Sequence, residues 1–217
     1  MLIFDLWQTL ADIPVHPSDY IVGLLHLNQR EKGILNRRLQ KSIMFSSLIP
    51  LRDGLEDLLS PWSPDETNIA LAEKYWEGAT QSAVLFPQIL KTLQSLKSAG
   101  YRLALLTNID AYGLQHFRFP ELLTLFSVSH FSCVEGVAKP SPTAWNRLLR
   151  KVAVSPRSAI MIGDSLTEDI IPSRALGLYT ILISSHLSVK ADLTLRSSAE
   201  LTPEILNILL DKTQSFA

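Results

Sequence analysis

The sequence lacks several features that would indicate particular classes of protein. Of its 217 residues only Cys133 is a cysteine, which excludes an internal disulfide framework and is typical of a reducing compartment. Basic and acidic residues number 20 and 21, a balance that gives no support for a nucleic-acid or membrane-surface partner. No apolar run approaches the roughly 18 residues of a membrane-spanning helix, and Asp5 interrupts the apolar N-terminal run that a signal peptide would need. We therefore expect a soluble cytoplasmic protein without nucleic-acid or membrane partners.

The chain does contain clear patterns of strand and helix. An apolar run at residues 2–5 predicts a short buried strand of the parallel type. Residues 20–80 show helical spacing of apolar residues with proline breaks, and strand and helix patterns alternate after them. Such alternation predicts an α/β fold, a doubly wound parallel sheet with helices on both faces. The predicted core comprises residues 1–12 and 84–217, with an inserted helical segment at residues 13–83.

Polar residues that can do chemistry follow several predicted strands or lie in neighbouring loops. They are Asp5, Thr107, Asn108, Lys139, Asp164 and Asp169. In an open parallel sheet, sites form at the carboxyl ends of the strands. Grouped carboxylates need a counter-charge, and Mg²⁺ takes oxygen ligands while it bridges phosphate. Lysine and hydroxyl groups stabilise phosphate oxygens, and a carboxylate nucleophile can form an aspartyl-phosphate. Alone, each aspartate is typical of a helix cap or a turn, and Lys139 is typical of a solvated surface charge, but the ordered set favours phosphoryl transfer.

Four segments of the chain carry a family resemblance. They are FDLWQTL, LALLTN, the pattern S-x-x-x-G-x-x-K-P that begins at Ser132, and IMIGDSLTED. In this order and at these intervals they resemble the four motifs of the haloacid dehalogenase superfamily, over residues 1–10 and about 86–210. The resemblance implies a hydrolase with a Rossmann-like core, and it implies that the helical segment at residues 13–83 is a mobile cap over the site.

The resemblance also implies a role for each matching residue. Asp5 would be the nucleophile, and Lys139 would neutralise both this carboxylate and the substrate phosphate. Thr107 and Asn108 would bind the substrate, with Thr107 donating a hydrogen bond to a phosphate oxygen. One Mg²⁺ would be held by the carboxylates of Asp5 and Asp164, by the backbone carbonyl of Trp7, and by Asp169 as a ligand or as the neighbour of one. The substrate would be a small phosphorylated molecule.

Two residues depart from the family pattern. Phosphatases of the family carry an aspartate at position 7 as general acid and base, whereas the indole of Trp7 has only an N–H donor and cannot exchange protons near neutral pH. Gln8 stands where glycine is frequent, which predicts a less flexible turn. The departure at Trp7 does not by itself imply an inactive site, because dehalogenases of the superfamily carry a tyrosine there.

Three hypotheses remain open at this point. The chain is a Mg²⁺-dependent phosphatase with slowed chemistry, a metal-independent 2-haloacid dehalogenase, or a non-catalytic binding protein on the same fold. Similar dehalogenases tend to have Ser-Asn where this chain has Gly163-Asp164, and they bind no metal. Because Asp5, Asp164 and Asp169 would repel one another without a cation, the sequence favours the phosphatase.

The inserted segment offers further candidates for contact with a substrate. Arg37, Arg38, Lys41 and Arg52 could meet an anionic ligand, although a basic run on a helix is usually its solvated face. His16 follows the first motif and could replace the missing proton carrier, the alternative being an ordinary surface histidine. The sequence specifies neither the substrate nor the oligomeric state.

Overall fold

The computed structural model describes residues 1–13, 15–39, 41, 44 and 49–214, with side chains described as far as residue 209. Its strands are Leu2–Phe4 (β1), Ala11–Asp12 (β2), Val84–Leu85 (β3), Leu103–Thr107 (β4), Val128–Phe131 (β5), Ile160–Gly163 (β6), Tyr179–Ile183 (β7) and Leu193–Leu195 (β8). Within these described residues, six strands form a parallel sheet in the order β5-β4-β1-β6-β7-β8. The predicted α/β fold with a doubly wound parallel sheet is confirmed.

Helices cover both faces of this sheet. They are Ile89–Ser98 (α5), Ala111–Gln115 (α6), Pro120–Leu123 (α7), Ser132–Glu135 (α8), Pro142–Lys151 (α9), Ile171–Ala175 (α10) and Pro203–Gln214 (α11). The central strand β1 shows how the two faces are filled. Phe4 belongs to a buried cluster with Leu93 of α5, whereas Ile3 belongs to a second cluster with Trp145 of α9. Each such fully buried side chain contributes about 1.5–3 kcal/mol, so β1 is held from both sides.

The inserted segment is helical, as the sequence predicts. Its helices are Pro17–Leu24 (α1), Gln29–Leu39 (α2), Leu51–Leu59 (α3) and Glu66–Ser82 (α4), and no strand occurs in the described part of residues 20–80. Apolar faces of these helices form a separate cluster that includes Leu35, Leu55 and Trp76. The short antiparallel pair of β2 and β3, which brackets the segment, is not anticipated by the sequence, because two-residue strands carry no readable alternation.

The inserted helices are also fastened to the core through α6. The indole Nε1 of Trp76 in α4 donates to the Asp110 carboxylate at 3.0 Å, and both groups are buried. Tyr112 of α6 packs against the apolar cluster of the inserted helices and its hydroxyl accepts from Gln81 at 3.3 Å. Across the described residues, no helix has both the length and the apolar character needed to cross a bilayer.

Candidate active site

The parallel register brings the ends of three strands to one place. Phe4 of β1 lies opposite Leu105 of β4 and Ile162 of β6, and the Asp5 backbone N–H donates to the Ile162 carbonyl at 2.9 Å. The segments FDLWQTL, LALLTN and IMIGDSLTED therefore leave the sheet side by side at its carboxyl edge, where sites form in parallel sheets. Asp5 itself is only 5% exposed.

Lys139 reaches this edge because its loop is tied to Asn108. The Asn108 side chain accepts from the Lys139 backbone N–H at 2.8 Å and donates to the Lys139 carbonyl at 2.9 Å. The same amide nitrogen also donates to Glu168 at 3.3 Å. Asn108 thus holds the lysine loop and lines the cavity described below; a direct contact of Asn108 with substrate stays a prediction.

A buried ion-pair network forms around the Lys139 ammonium. Its Nζ donates to Asp5 Oδ1 at 2.6 Å and to Asp169 Oδ1 at 2.5 Å. Burial alone would lower the pKa of Lys139, but the carboxylates of Asp169 and Asp5 outweigh it and raise that pKa above the ordinary lysine value. Burial raises the pKa of Asp5 well above its ordinary value, and the Lys139 ammonium opposes that rise. The lysine is therefore a fixed positive charge beside the predicted nucleophile.

Three carboxylates converge beside this lysine. Ligand oxygens of Asp5, Asp164 and Asp169 lie within 4.8 Å of one another. Burial, followed by the charge of Asp169, raises the pKa of Asp164 to about 6. Three oxygen donors that repel one another at this spacing suit a hard divalent cation such as Mg²⁺, which would offset the repulsion.

The turn after β6 explains why the motif contains glycine and a second aspartate. A Cβ at Gly163 would overlap the Asp169 carboxyl group, so only glycine leaves room for it. The Ser165 backbone N–H donates to Asp169 Oδ2 at 3.1 Å, and the Ser165 hydroxyl accepts from the Glu168 backbone N–H at 3.1 Å. Residues 166–170 form a single π-helical turn, which the sequence does not predict. This turn directs Asp169 back toward Lys139.

The predicted phosphate-binding hydroxyl lies at the end of β4. Thr107 is fully buried, and its Oγ1 lies 3.4 Å from the Asn108 carbonyl oxygen. The following backbone is fixed by Ser132, whose hydroxyl accepts from the Ile109 N–H at 3.0 Å and donates to the Ile109 carbonyl at 3.1 Å. The residue that follows LALLTN is thus bonded to Ser132, the first residue of the pattern that contains Lys139.

A cavity of about 210 Å³ lies between this edge and the inserted helices. The core side is lined by Asp5, Trp7, Gln8, Asn108, Lys139, Asp164, Ser165, Glu168 and Asp169. The side of the inserted segment is lined by His16, Ser18, Asn36, Leu39 and Met44. The sequence interpretation missed the last four of these and Glu168. The position of Glu168 within GDSLTED was a usable signal, whereas the lining of a helix-covered cavity depends on tertiary packing.

Trp7 and Gln8 form the turn that follows the nucleophile. The Trp7 side chain is partly buried, packs against the core cluster and lines the cavity. Gln8 has a φ of +58°, a left-handed conformation that costs a non-glycine residue roughly 1 kcal/mol or more. The Gln8 side chain offsets part of that cost, because it donates to Asp12 at 2.9 Å and to the Ile13 carbonyl at 3.2 Å.

His16 lies at the start of α1 and is held there by its own helix. Its Nδ1 accepts from the Ser18 backbone N–H at 3.2 Å and lies 2.8 Å from the Ser18 hydroxyl oxygen. Burial lowers the pKa of His16 below its ordinary value. A neutral ring whose Nδ1 is an acceptor carries its proton on Nε2, so His16 is a hydrogen-bond donor in this arrangement, not a base. The predicted proton-carrier role would require a change of tautomer.

None of the four basic residues singled out in the inserted segment lines the described part of the cavity. Arg38 donates to the carbonyls of Asp57 at 2.5 Å and Leu58 at 3.0 Å. Arg52 pairs with three glutamates of the inserted helices, which are Glu56, Glu66 and Glu73. Arg37 and Lys41 are exposed. The expectation that a basic run forms a solvated helix face describes Arg37, whereas Lys41 lies beyond the end of α2. Internal pairing accounts for Arg38 and Arg52.

Comparisons with known proteins find phosphatases among the curated relatives. A glyceraldehyde 3-phosphate phosphatase of Methanothermobacter thermautotrophicus is 31% identical over 112 residues, which are 48% of this chain and 46% of that protein. A phosphoglycolate phosphatase of Aliivibrio fischeri is 34% identical over 120 residues, 52% of this chain and 50% of the relative. The chain thus spans about half the length of the curated relatives it matches.

The fold also matches that of solved structures. A β-phosphoglucomutase from Clostridium difficile superposes with a TM-score of 0.66 at 17% identity, covering 99% of this chain and 98% of that one. The family model of haloacid dehalogenase-like hydrolases matches residues 2–177. With its motifs at one edge of a parallel sheet and most of its length within that match, the chain belongs to the haloacid dehalogenase-like hydrolases.

Proposed function

We propose that the chain is a Mg²⁺-dependent phosphatase that acts on a small phosphorylated molecule through an aspartyl-phosphate on Asp5. The observation that carries the proposal is the placement of the Asp5 carboxylate, which lies 2.6 Å from the Lys139 ammonium and beside two further carboxylates in the lining of a cavity. The phosphatase relatives support the reaction class. An ionised carboxylate needs no base to attack phosphorus.

The residues present suit one bound Mg²⁺. The carboxylates of Asp5 and Asp164 and the Trp7 carbonyl would hold it, with Asp169 as a ligand or beside one; the mutual approach of the three carboxylates supports this assignment. When bound, the ion would neutralise charge on the phosphate and keep the ligand carboxylates ionised. Lys139 would stabilise the equatorial oxygens of the transferred group, and Thr107 would donate a hydrogen bond to one of them.

Trp7 limits this chemistry at two proton transfers. Attack by Asp5 releases the alcohol as an alkoxide, which needs a proton, and water must lose a proton when it breaks the aspartyl-phosphate. The indole of Trp7 supplies neither transfer, and loss of such assistance typically costs about 10²–10⁴-fold in rate. We therefore expect aryl and acyl phosphates, whose leaving groups are stable as anions, to react far faster than alkyl phosphates. The phosphoenzyme should be long-lived.

We further propose that residues 13–83 act as a cap that closes the site. Support comes from their separate apolar cluster and from the side chains that they contribute to the cavity opposite Asp5. Exclusion of water by such a cover would strengthen the charge interactions around the phosphate.

A 2-haloacid dehalogenase is less well supported. Such a substrate is a carboxylate, and Lys139, the one lysine or arginine in the described lining of the cavity, is already bonded to Asp5 and Asp169. Halide needs no proton on leaving, so Trp7 alone does not exclude this reaction. The three clustered carboxylates do not suit a site that works without a cation.

Intact mass spectrometry after acid quenching tests the proposal directly. Incubation with acetyl phosphate or phenyl phosphate in Mg²⁺ should add the mass of one phosphoryl group to the wild-type chain, and chelator should prevent the addition. Asp5→Asn should show no addition, whereas Asp53→Asn, a change at an exposed aspartate of α3, should behave as wild type. If no phosphoenzyme forms with any activated phosphate, the phosphatase proposal fails. Halide release from 2-haloacids, measured in parallel, would then separate the dehalogenase from a non-catalytic protein.

A further inference from the structure

The charges around the cavity are distributed unevenly between its two walls. On the core wall, Asp5, Asp164, Glu168 and Asp169 supply carboxylates against the single ammonium of Lys139. That ammonium already donates to Asp5 and Asp169. One bound Mg²⁺ would bring about two positive charges, and the transferred phosphoryl group would bring about two negative charges. The attraction of this wall for an anion would therefore be taken up by the phosphoryl group. The core side of the lining offers no further lysine or arginine for a second anion.

The residues of the inserted segment that line the described part of the cavity carry no full positive charge. Ser18, Asn36, Leu39 and Met44 are uncharged, and the Nδ1 of His16 accepts a backbone hydrogen bond, which disfavours a second proton on the ring. The leaving group of a substrate would therefore face hydroxyl, amide and apolar groups.

Three other basic side chains of the inserted helices are paired, and Arg30 and Arg37 are exposed and do not line the described part of the cavity. Lys32 donates to Asp19 at 2.6 Å, and Arg38 binds backbone carbonyls at the end of α3. Arg52 pairs with carboxylates of α3 and α4. Lys74 lines a different surface cavity, beside Tyr75. While these side chains keep the positions that the structure shows, they add no positive charge to the described lining.

We propose that this site selects phosphate monoesters whose leaving group is uncharged and rejects those whose leaving group carries a carboxylate or a second phosphate. The inference rests on the proposed phosphatase function and names its substrate class. A second anion would lie near the carboxylates of Asp5, Asp164 and Asp169, and the described lining holds no cation that could pair with it. Rejection through an unpaired charge is a common source of specificity. At effective dielectric constants typical of protein surfaces, this repulsion should reduce kcat/KM by about tenfold or more.

Two esters of equal size test the selection. They are 4-carbamoylphenyl phosphate and 4-carboxyphenyl phosphate, which differ in the charge of the leaving group. Both have an aryl leaving group, which departs without the proton that Trp7 does not supply. With the full chain in Mg²⁺, the carbamoyl ester should have a kcat/KM about tenfold or more above that of the carboxy ester. Equal values, or a preference for the carboxy ester while phosphoenzyme still forms, would overturn the inference and leave the phosphatase proposal intact.

A binding measurement separates the inference from catalysis. Calorimetric titration with the two corresponding phosphonates, which cannot be hydrolysed, should show the carboxy compound binding about tenfold or more weakly. If this ratio is found and no ester yields phosphoenzyme, the selection stands and the proposed function fails. If neither phosphonate binds, the cavity does not take neutral aryl groups and the inference is overturned.

A charge added to the neutral wall provides the last arm of the test. Asn36→Arg places a cation in the lining, and Ala70→Arg adds the same charge at an exposed position of α4 outside the cavity. Both positions are helical and arginine is a good helix former, so both variants should fold. Asn36→Arg should shift the carboxy-to-carbamoyl binding ratio about tenfold toward the carboxy compound, and Ala70→Arg should leave it near the wild-type value. An equal shift in both variants would overturn the assignment to the cavity wall.

Discussion

The two walls of the cavity differ in charge, in burial and in how their side chains are held. On the core wall, Asp5, Lys139 and Asp169 are almost fully buried and bonded to one another. On the opposite wall, Asn36 is exposed and the lining residues that the structure describes are neutral. A wall fixed by buried ion pairs suits chemistry, which needs preorganised charge, while a neutral and more exposed wall suits discrimination between leaving groups. Substitutions on the two walls should therefore change different quantities.

The largest effect on stability is expected at the centre of the core wall. Lys139→Met leaves Asp5 and Asp169 buried without their cation, and breaking a buried ion pair typically costs about 3–5 kcal/mol. The control is Lys151→Met, which removes a lysine that pairs with Glu135 at the surface and should cost about 1 kcal/mol or less. Urea unfolding in chelator measures both. Equal losses in the two variants would contradict a stabilising role for the buried network.

The next effect concerns Trp7, in the turn that follows Asp5 on the core wall. Trp7→Asp restores a titrating group beside the nucleophile and should raise alkyl-phosphate turnover by about 10²-fold or more. Trp7→Asn introduces a side chain of nearly the same size as aspartate but without an ionisable group, so it should not raise alkyl-phosphate turnover. Steady-state kinetics with an alkyl and an aryl phosphate measure the change, and both variants should gain little on the aryl ester. A gain in Trp7→Asn equal to that of Trp7→Asp would indicate relief of crowding instead of proton transfer.

A smaller effect is expected where the inserted helices join the core. Trp76→Phe removes the N–H that donates to the buried Asp110 carboxylate, and an unsatisfied buried acceptor costs about 1–3 kcal/mol. Trp62→Phe, at a partly buried tryptophan of the same apolar cluster, should cost less. Chemical denaturation compares the two variants. If Trp76→Phe is as stable as wild type, the hydrogen bond does not fasten the helices to the core.

The smallest effect concerns metal and pH. Burial and Asp169 raise the pKa of Asp164 to about 6 in the metal-free protein, so its contribution to stability is present below about pH 4 and is lost as the pH rises through 6. Mg²⁺ requires the ionised carboxylate, and at ten times its dissociation constant it adds about 1.4 kcal/mol. The increase in Tm caused by Mg²⁺ should therefore be larger at about pH 7.5 than at about pH 5. Asp164→Asn should abolish this difference, and an unchanged Mg²⁺ response in that variant would contradict the metal assignment.

The sequence predicts the core wall because its signals are local. Leu2–Phe4 and Ile160–Gly163 are continuous apolar runs that end in acidic residues, and register then brings these ends together without further information. Gly100, with a φ of +90°, follows the Ala99 cap of α5, at the position where glycine commonly ends a helix. Here hydrophobic periodicity and turn chemistry agree, and such agreement makes a segment readable.

The opposite wall is not predictable in the same way. Asn36 and Met44 line the cavity because α2 packs on α3 and because α4 is bonded to α6, and none of these tertiary contacts is written in local periodicity. The basic residues that attracted attention in the sequence lie elsewhere, because Arg38 and Arg52 find partners within the inserted helices. Long basic side chains commonly pair with nearby carboxylates or carbonyls of the protein, so a basic run gives little information about ligand binding.

The central claim is that Trp7 leaves formation of the aspartyl-phosphate fast and makes its hydrolysis slow. Stopped-flow measurement of phenol release from phenyl phosphate in Mg²⁺ tests it most directly. The account predicts a burst of about one phenol per active site followed by slow turnover, with the slow phase accelerated in Trp7→Asp. Linear release without a burst, at the same rate in wild type and Trp7→Asp, would contradict it.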